Sequence, residues 1–327
     1  MSETPGWSSP DQPNQPQQPP QPPPGYYAPP PPGAGPTIKP GVIPLRPLAV
    51  GEIVDGAITT MRRYPKLIIG AAAVVAAITQ IIGLLVQLPF LNDVTALATL
   101  DPNAMTDEQI VEQLQSSVTG LLGGTLLGIL PVLFGTVFLS GFVTVVVGHA
   151  VLGEPVTFAQ AWEEFKPRLL PLVGATLLSG VLITVGLVFC LIPGVYLYVL
   201  FALVTPALVL ERCGVGTAFG RSRTLVNGAW WRTFGVLLLT IVISMVISWI
   251  VSLPFGILGA AATGFSADPA AALSIGSLLL STVGAIIAST ITLPFSAAVT
   301  VLLYVDRRMR AEGMDIELQR AAGHGGL

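Results

Sequence analysis

The chain has 327 residues, of which 52% are hydrophobic and only 10% are charged, and its formal net charge is −3. Ordinary soluble domains carry about 25% charged residues, so this composition indicates a protein that folds in lipid. The scattered basic residues give no reason to expect nucleic acid as a partner. Two cysteines, Cys190 and Cys213, are too few for a disulfide framework, and we expect two free thiols.

Residues 1–46 differ in composition from the rest of the chain. They contain 16 of the 29 prolines, among Gln, Gly and Tyr, and too little apolar surface to form a core. The segment is predicted to be a disordered, proline-rich tail on the cytoplasmic side. It lacks the basic start and apolar run of a secretory signal, so we expect it to be retained. Two interpretations stay open, a solvated spacer and a docking arm for a protein partner.

Long uncharged stretches predict six transmembrane helices, because a span needs about 20 apolar residues. A turn signal at Leu191–Gly194 divides the longest stretch into two spans. Residues 47–306 therefore form the predicted transmembrane domain, and residues 307–327 form a short cytoplasmic tail. The predicted spans are 67–91, 118–150, 169–191, 194–210, 233–257 and 274–304.

The second span is ambiguous, because it is long for one helix and short for two. Dividing it at Pro131 would move several downstream basic residues to the outer side, against the positive-inside rule. A single helix, tilted or kinked at Pro131, places all fifteen Lys and Arg residues on the cytoplasmic side. The outer loops then carry acids, among them Asp93, Asp101 and Asp268, and the second outer loop is a tight turn at Pro193 and Gly194.

Three amphipathic segments precede the outward-going helices and form a weak internal repeat. Apolar residues recur at helical spacing over 50–61, 158–165 and 219–230, which predicts interfacial helices on the cytoplasmic face. Thr157 and Thr217 are the predicted N-caps of the second and third. Simple anchoring and specific lipid capture both explain such helices.

Basic and aromatic residues on these segments are candidate contacts for lipid headgroups. Orientation of the chain by the positive-inside rule would also explain the basic residues. The candidates are Lys66, Arg168, Arg221, Arg223, Trp230, Trp231 and Arg232. Small residues at every fourth position, Gly120, Gly124 and Gly128, predict a helix-packing ridge, used within the chain or between two copies.

No reaction centre is recognisable in the sequence. We find no ionisable group in the middle of a span and no phosphate loop or metal-ligand spacing, so we expect no catalytic residue, no cofactor and no bound metal. His149 lies at a helix end and His324 in the terminal tail. Thr106 and Gln109 resemble a capping box that opens a short helix, and calcium binding by the acids around them is the alternative.

Three segments resemble the membrane domain associated with glycerophosphoryl diester phosphodiesterases, which occurs in actinobacteria as a stand-alone protein. They are IPLRPLAVGEIVDGA at 43–57, PALVLERCGVGTAFGRSRTL at 206–225 and FSAAVTVLLYVDRRMRAEGMDIEL at 295–318. In the enzymes of that family, hydrolysis belongs to a separate soluble barrel with His, Glu and Asp around a metal. Only 21 residues follow Asp306, so we expect no such barrel and no phosphodiesterase activity.

The sequence therefore predicts an all-α integral membrane protein with six transmembrane helices, cytoplasmic interfacial helices and a disordered tail. The predicted location is the cell membrane, with both termini in the cytoplasm, and the predicted partners are membrane lipids. The leading hypothesis is a non-enzymatic membrane module that organises or senses lipid, or scaffolds a partner, through its interfacial helices and tail. The alternative is a transporter or lipid-moving protein for amphipathic substrates, suggested by prolines inside the spans. The oligomeric state is left open.

Overall fold

The structure is a computed structural model that describes residues 41–44, 46–98, 105–265 and 274–312. Most of the predicted proline-rich tail, the acidic residues Asp101 and Asp268, His324 and the end of the C-terminal tail lie outside the described residues.

The described part of the chain is helical and contains no strand, and six helical segments are long and apolar enough to cross a membrane. The prediction of an all-α fold with six candidate spans is confirmed. Turns of 3-10 helix at 88–90 and 166–168 join consecutive helices. The helices are α1 (Val50–Arg63), α2 (Pro65–Gln87), α3 (Leu91–Ala98), α4 (Asp107–Leu152), α5 (Phe158–Phe165), α6 (Leu169–Phe189), α7 (Leu191–Phe201), α8 (Val204–Leu210), α9 (Val215–Val226), α10 (Trp230–Ala262) and α11 (Ile275–Glu312).

Helix α4 is one continuous helix of 46 residues that passes through Pro131. The Thr106 side chain accepts a hydrogen bond from the Gln109 backbone, and the Gln109 side chain accepts one from the Thr106 backbone, so the predicted capping box is present. It opens α4 itself, because no break separates the polar first turns from the apolar part. At 1.5 Å per residue α4 is about 69 Å long, more than twice the thickness of a hydrocarbon core.

The turn between α6 and α7 differs from the prediction. It is formed by Cys190 alone, with φ −170° and ψ 145°, and Pro193 and Gly194 belong to the first turn of α7. Proline is tolerated there because the first turn of a helix does not use its backbone N–H. Gly194 lies against Gly186, where an added Cβ would be 3.0 Å from the Gly194 Cα. The return arm is also broken, into α7 and α8, at residues 202 and 203.

The same turn is followed by residues that contact the start of α10. Tyr196 of α7 stacks on Trp230, the first residue of α10, with ring centroids 6.0 Å apart. The cause is that α7 packs along α9, where Phe201 and Phe219 make an edge-to-face contact at 4.8 Å. The residues that follow the turn therefore lie close to the start of α10, and the side of the membrane that the turn faces stays a prediction.

The three predicted amphipathic segments form helices α1, α5 and α9. Their apolar faces are buried against the bundle, as at Ile53 in α1, Phe165 in α5 and Leu225 in α9. Thr157 caps α5 as predicted, accepting a hydrogen bond from the Gln160 backbone. The predicted cap at Thr217 is wrong, because α9 begins earlier, after Gly214.

The described basic residues lie at one end of the bundle, where α2, α6 and α10 begin and α4, α8 and α11 end; we call it the basic end. The hydrogen bond between Ser244 and Ser296 sets the antiparallel register of α10 and α11. Helix α11 continues to Glu312, so Arg307 and Met309 are buried where the sequence predicted a short cytoplasmic tail.

Candidate functional site

A cleft of about 730 Å³ opens between α2, α4 and α6 near the basic end. Its walls are aliphatic and aromatic side chains, including Val74 and Ile78 of α2 and Phe134 and Phe138 of α4. The hydroxyl of Thr79 also lines the cleft, but it donates to the Val75 carbonyl at 2.8 Å and presents no free donor. We call this space the Lys66 cleft, because Lys66 is the charged residue of its lining.

The Lys66 side chain is exposed and makes no hydrogen bond or ion pair with any residue that the structure describes. It lies in the first turn of α2, behind Pro65. Phe158, the first residue of α5, also lines the cleft. First-turn residues of two helices, α2 and α5, therefore line the same cleft, and the positive end of each helix dipole lies in its first turn. The mouth of the cleft carries the electrostatics of an anion site on an apolar cavity.

Arg221 lies in an internal ion-pair network, away from the Lys66 cleft. Its guanidinium donates to Glu211 at 2.8 Å and also to Glu312. The hydrogen bond to Glu211 raises the pKa of Arg221. Burial alone would raise the pKa of Glu211, but hydrogen bonds from Arg221 and Tyr304 bring it below its ordinary value. Most donors of Arg221 are thus occupied by carboxylates within the chain.

Arg232 is likewise occupied inside the protein. Asp306 is fully buried and accepts hydrogen bonds from the Leu48 backbone at 2.8 Å, Arg232 at 3.1 Å and Arg310 at 2.9 Å. Both arginines also donate to the Leu48 carbonyl, at 2.6 and 2.8 Å. We call this group the Asp306 clamp. It ties the segment before α1 to α10 and α11, over sequence separations that no local pattern reveals.

The remaining headgroup candidates are not gathered at one site. Arg168 donates to the Glu164 carbonyl at 2.7 Å and Arg223 is exposed on α9. Trp230 packs between aromatic rings, whereas Trp231 is 78% exposed. The predicted set is therefore distributed over the basic end, and Lys66 is its one charged member that lines a cavity of ligand size in the described part of the chain.

Two smaller cavities, of about 250 and 560 Å³, lie along α4 and share Thr136 and Thr176. Hydroxyl and amide side chains make up about half of each lining, apolar residues make up the rest, and neither lining includes a charged residue. The polar lining residues are Thr136, Ser140, Thr144, Thr176, Thr205, Ser296 and Thr300 in the smaller, and Gln80, Gln87, Thr125, Ser281 and Thr282 in the larger. We call the pair the polar groove. From Gly124 to Thr144 it follows about 30 Å of α4, the thickness of a hydrocarbon core.

His149 has carboxylate partners that sequence reasoning missed. Its two ring nitrogens lie 3.0 Å from Glu154 and 3.0 Å from Glu164. Both contacts are hydrogen bonds when the ring carries both protons. Among the described residues no group of three His, Cys, Asp or Glu side chains has the arrangement of a metal site.

The predicted glycine ridge packs within the chain along part of its length. A Cβ on Gly124 would lie 3.0 Å from the Phe90 ring, and one on Gly120 would overlap the Asp93 carboxylate. Gly128 has no neighbouring atom within 4 Å of such a position and lines the polar groove instead.

Comparison with known proteins identifies one family. Residues 114–306 match the family described as a domain of unknown function (DUF7847). No curated protein matches the chain. No solved structure matches it. The resemblance to the membrane domain of glycerophosphoryl diester phosphodiesterases stays a prediction.

Proposed function

We propose that this chain, which belongs to the DUF7847 family of unknown function, binds anionic lipid in the Lys66 cleft. The family matches more than half of the chain, and the proposal rests on the geometry of the cleft. The chain acts in this proposal as a non-enzymatic, lipid-organising or lipid-sensing module of the cell membrane. Its basic end faces the cytoplasm, as the positive-inside rule predicts. The observation that carries the proposal is an unpaired Lys66 at the mouth of an apolar cavity of about 730 Å³.

The walls of the cleft select the apolar part of the ligand. Pockets that hold small ligands enclose roughly 300–1,000 Å³ and are lined mainly by apolar side chains. The cleft lies in that range, and it opens between candidate membrane spans, where the surrounding solvent is hydrocarbon. An acyl chain fits this lining, because Val74, Ile78 and Phe134 offer it no polar partner.

The mouth of the cleft selects the polar part. A basic residue near the membrane surface attracts anionic lipid by about 1 kcal/mol. Lys66 keeps that capacity, since no carboxylate of the described chain pairs with it, whereas Arg221 and Arg232 already bind Glu211 and Asp306. A phosphate or carboxylate headgroup would complete the charge balance at the α2 and α5 N-termini.

Lipid retention tests the proposal. The purified full chain is mixed with phosphatidylglycerol or phosphatidylcholine in detergent, and native mass spectrometry counts the bound lipid. We expect preferential retention of phosphatidylglycerol, reduced about fivefold by Lys66→Gln, since about 1 kcal/mol of attraction is lost. Lys166→Gln is the matched control, because Lys166 is also exposed at the basic end but lies outside the cleft lining.

A second pair of variants tests the apolar walls. Gly70 lines the cleft, and a Cβ there meets no atom within 4 Å, so Gly70→Leu fits the fold and occupies ligand space. Gly174 of α6 has equally open surroundings outside the lining, which makes Gly174→Leu its control. Equal retention of both lipids by every variant would refute the proposal, as would equal losses in variant and control.

The polar groove favours a second candidate function, movement of lipid between leaflets. About half of its lining residues carry hydroxyl or amide groups, and they extend over the full hydrocarbon thickness. Hydroxyls such as those of Thr136 and Thr144 donate to their own helix, but their oxygen atoms would accept hydrogen bonds from a headgroup while acyl chains remain in the bilayer. Exchange of a fluorescent phospholipid between the leaflets of proteoliposomes measures this activity. Thr136→Leu should slow it and Thr119→Leu, on the exposed face of α4 outside the groove, should not. Exchange no faster than in protein-free vesicles would refute it.

A further inference from the structure

We infer that the segment α6 to α8 is a re-entrant hairpin that enters and leaves the membrane at the basic end, with its apolar tip embedded in the lipid of that leaflet. Composition alone makes both of its arms candidate spans. The position of the tip, residues 188–192, indicates instead that neither arm crosses to the opposite face of the membrane.

The level of the tip is fixed by the start of α10. Counting equal numbers of residues from the Ser244–Ser296 hydrogen bond along both antiparallel helices places Trp230 opposite Arg310, at the basic end. Leu191 and Ile192 line one cavity of about 500 Å³ together with Trp230 and Trp231. The far end of α10 is about 48 Å away, since α10 has 33 residues. The tip therefore lies level with the first turn of α10.

The contacts of α7 with α9 and α10 also place the tip level with the first turn of α10. Ser222 of α9 donates to the Leu200 carbonyl at 2.6 Å, Phe219 contacts Phe201, and Trp230 stacks on Tyr196. Helix α7 thus runs beside α9 and reaches the start of α10. Helix α9 is itself held at the basic end, where Arg307 of α11 donates to the Leu225 carbonyl at 2.9 Å. An arm that follows α9 does not cross to the opposite face.

The tip is covered by lipid rather than water. Val188 and Phe189 are 80% and 84% exposed in the isolated chain, and Leu191 and Ile192 are exposed as well. From Leu169 to Leu210 the sequence contains no Asp, Glu, Lys or Arg. The exposed ring of Trp231 adjoins the tip, and tryptophan is enriched at the membrane interface. The partner of this surface is the acyl region of the leaflet at the basic end.

Native Cys190 forms the turn, so it reports the position of the tip directly. Cys213→Ser leaves Cys190 as the single cysteine, and the two marker cysteines are introduced into Cys190→Ser/Cys213→Ser. Each chain is labelled in vesicles of both orientations with an impermeant maleimide. Gly216→Cys marks the basic end and Thr263→Cys the far end of α10. Gly216 is exposed with open surroundings, so the marker fits the fold.

We expect Cys190 to react from the side of Gly216→Cys or from neither side. The membrane depth of a nitroxide on Cys190 is measured by comparing its accessibility to oxygen with its accessibility to a water-soluble nickel complex. We expect this nitroxide to lie in the leaflet next to the Gly216→Cys marker. Reaction of Cys190 from the side of Thr263→Cys, or a nitroxide in that opposite leaflet, would overturn the inference.

Discussion

Removing the charge of Asp306 is the most direct perturbation of the basic end. Asp306→Asn preserves the size of a fully buried side chain and takes the counter-ion from Arg232 and Arg310. The amide also turns one acceptor into a donor that faces donors. We therefore expect the Asp306 clamp to open and the Leu48 segment to lose its attachment to α10 and α11.

The magnitude follows from burial. Breaking a buried pair by removal of one partner costs about 3–5 kcal/mol. The two arginine side chains are 30% and 33% exposed, so solvent screening favours the lower limit, about 3 kcal/mol. At roughly 2–4 °C per kcal/mol for a domain of this size, the melting temperature should fall by about 10 °C.

Thermal unfolding in detergent, followed by tryptophan fluorescence, measures the effect. Asp55→Asn is the matched control, because Asp55 is exposed on α1 and has no partner among the described residues. The double variant Asp306→Asn/Arg232→Gln should lose less stability than the sum of the single losses, since both remove the same contact. A melting temperature within about 2 °C of the parent, or strict additivity, would refute the reasoning.

Two further predictions concern the same end of the molecule. Gly41→Ala should lower stability by about 1–3 kcal/mol, because its Cβ would lie 2.2 Å from the Ala150 carbonyl oxygen. Gly51→Ala in α1 has open space and should be neutral or stabilising, and thermal unfolding compares the two. The free energy of unfolding should also fall as the pH drops below 4.5, the ordinary pKa of a glutamate such as Glu211. The folded protein lowers the pKa of Glu211, so the charged carboxylate stabilises the fold, and protonation removes that stabilisation. Unfolding midpoints across pH 3–7 measure this decline; Glu211→Gln should flatten it, and an unchanged slope would contradict it.

The elements that are local in sequence were predictable. Uncharged length gave the six candidate spans, and one-sided charge kept α4 whole through Pro131. The N-cap at Thr157 was predictable because its partner, Gln160, lies three residues away. The N-cap predicted at Thr217 is wrong because α9 begins one turn earlier, after Gly214. Pro193 and Gly194 favour a turn, but the same residues also suit the first turn of a helix, which is where they lie.

The long-range features could not be read from the sequence. Asp306 contacts Leu48 across 258 residues, and no periodicity or composition reports such a pair. Lys66 was one of seven headgroup candidates, and only packing separated it from Arg221 and Arg232 by supplying them with carboxylates. The depth of the Cys190 turn depends on the packing of α7 along α9, which span length does not encode.

The stacking of Tyr196 on Trp230 has a mechanical consequence for the bilayer. Because the α6 to α8 hairpin ends level with the start of α10, it adds to the cross-section of the protein only in the half of the membrane next to the basic end. A body that is wider in one leaflet than in the other acts as a wedge. Insertions confined to one leaflet respond to membrane curvature, so a bent membrane, convex on the basic side, should accommodate this molecule with less elastic strain than a flat one.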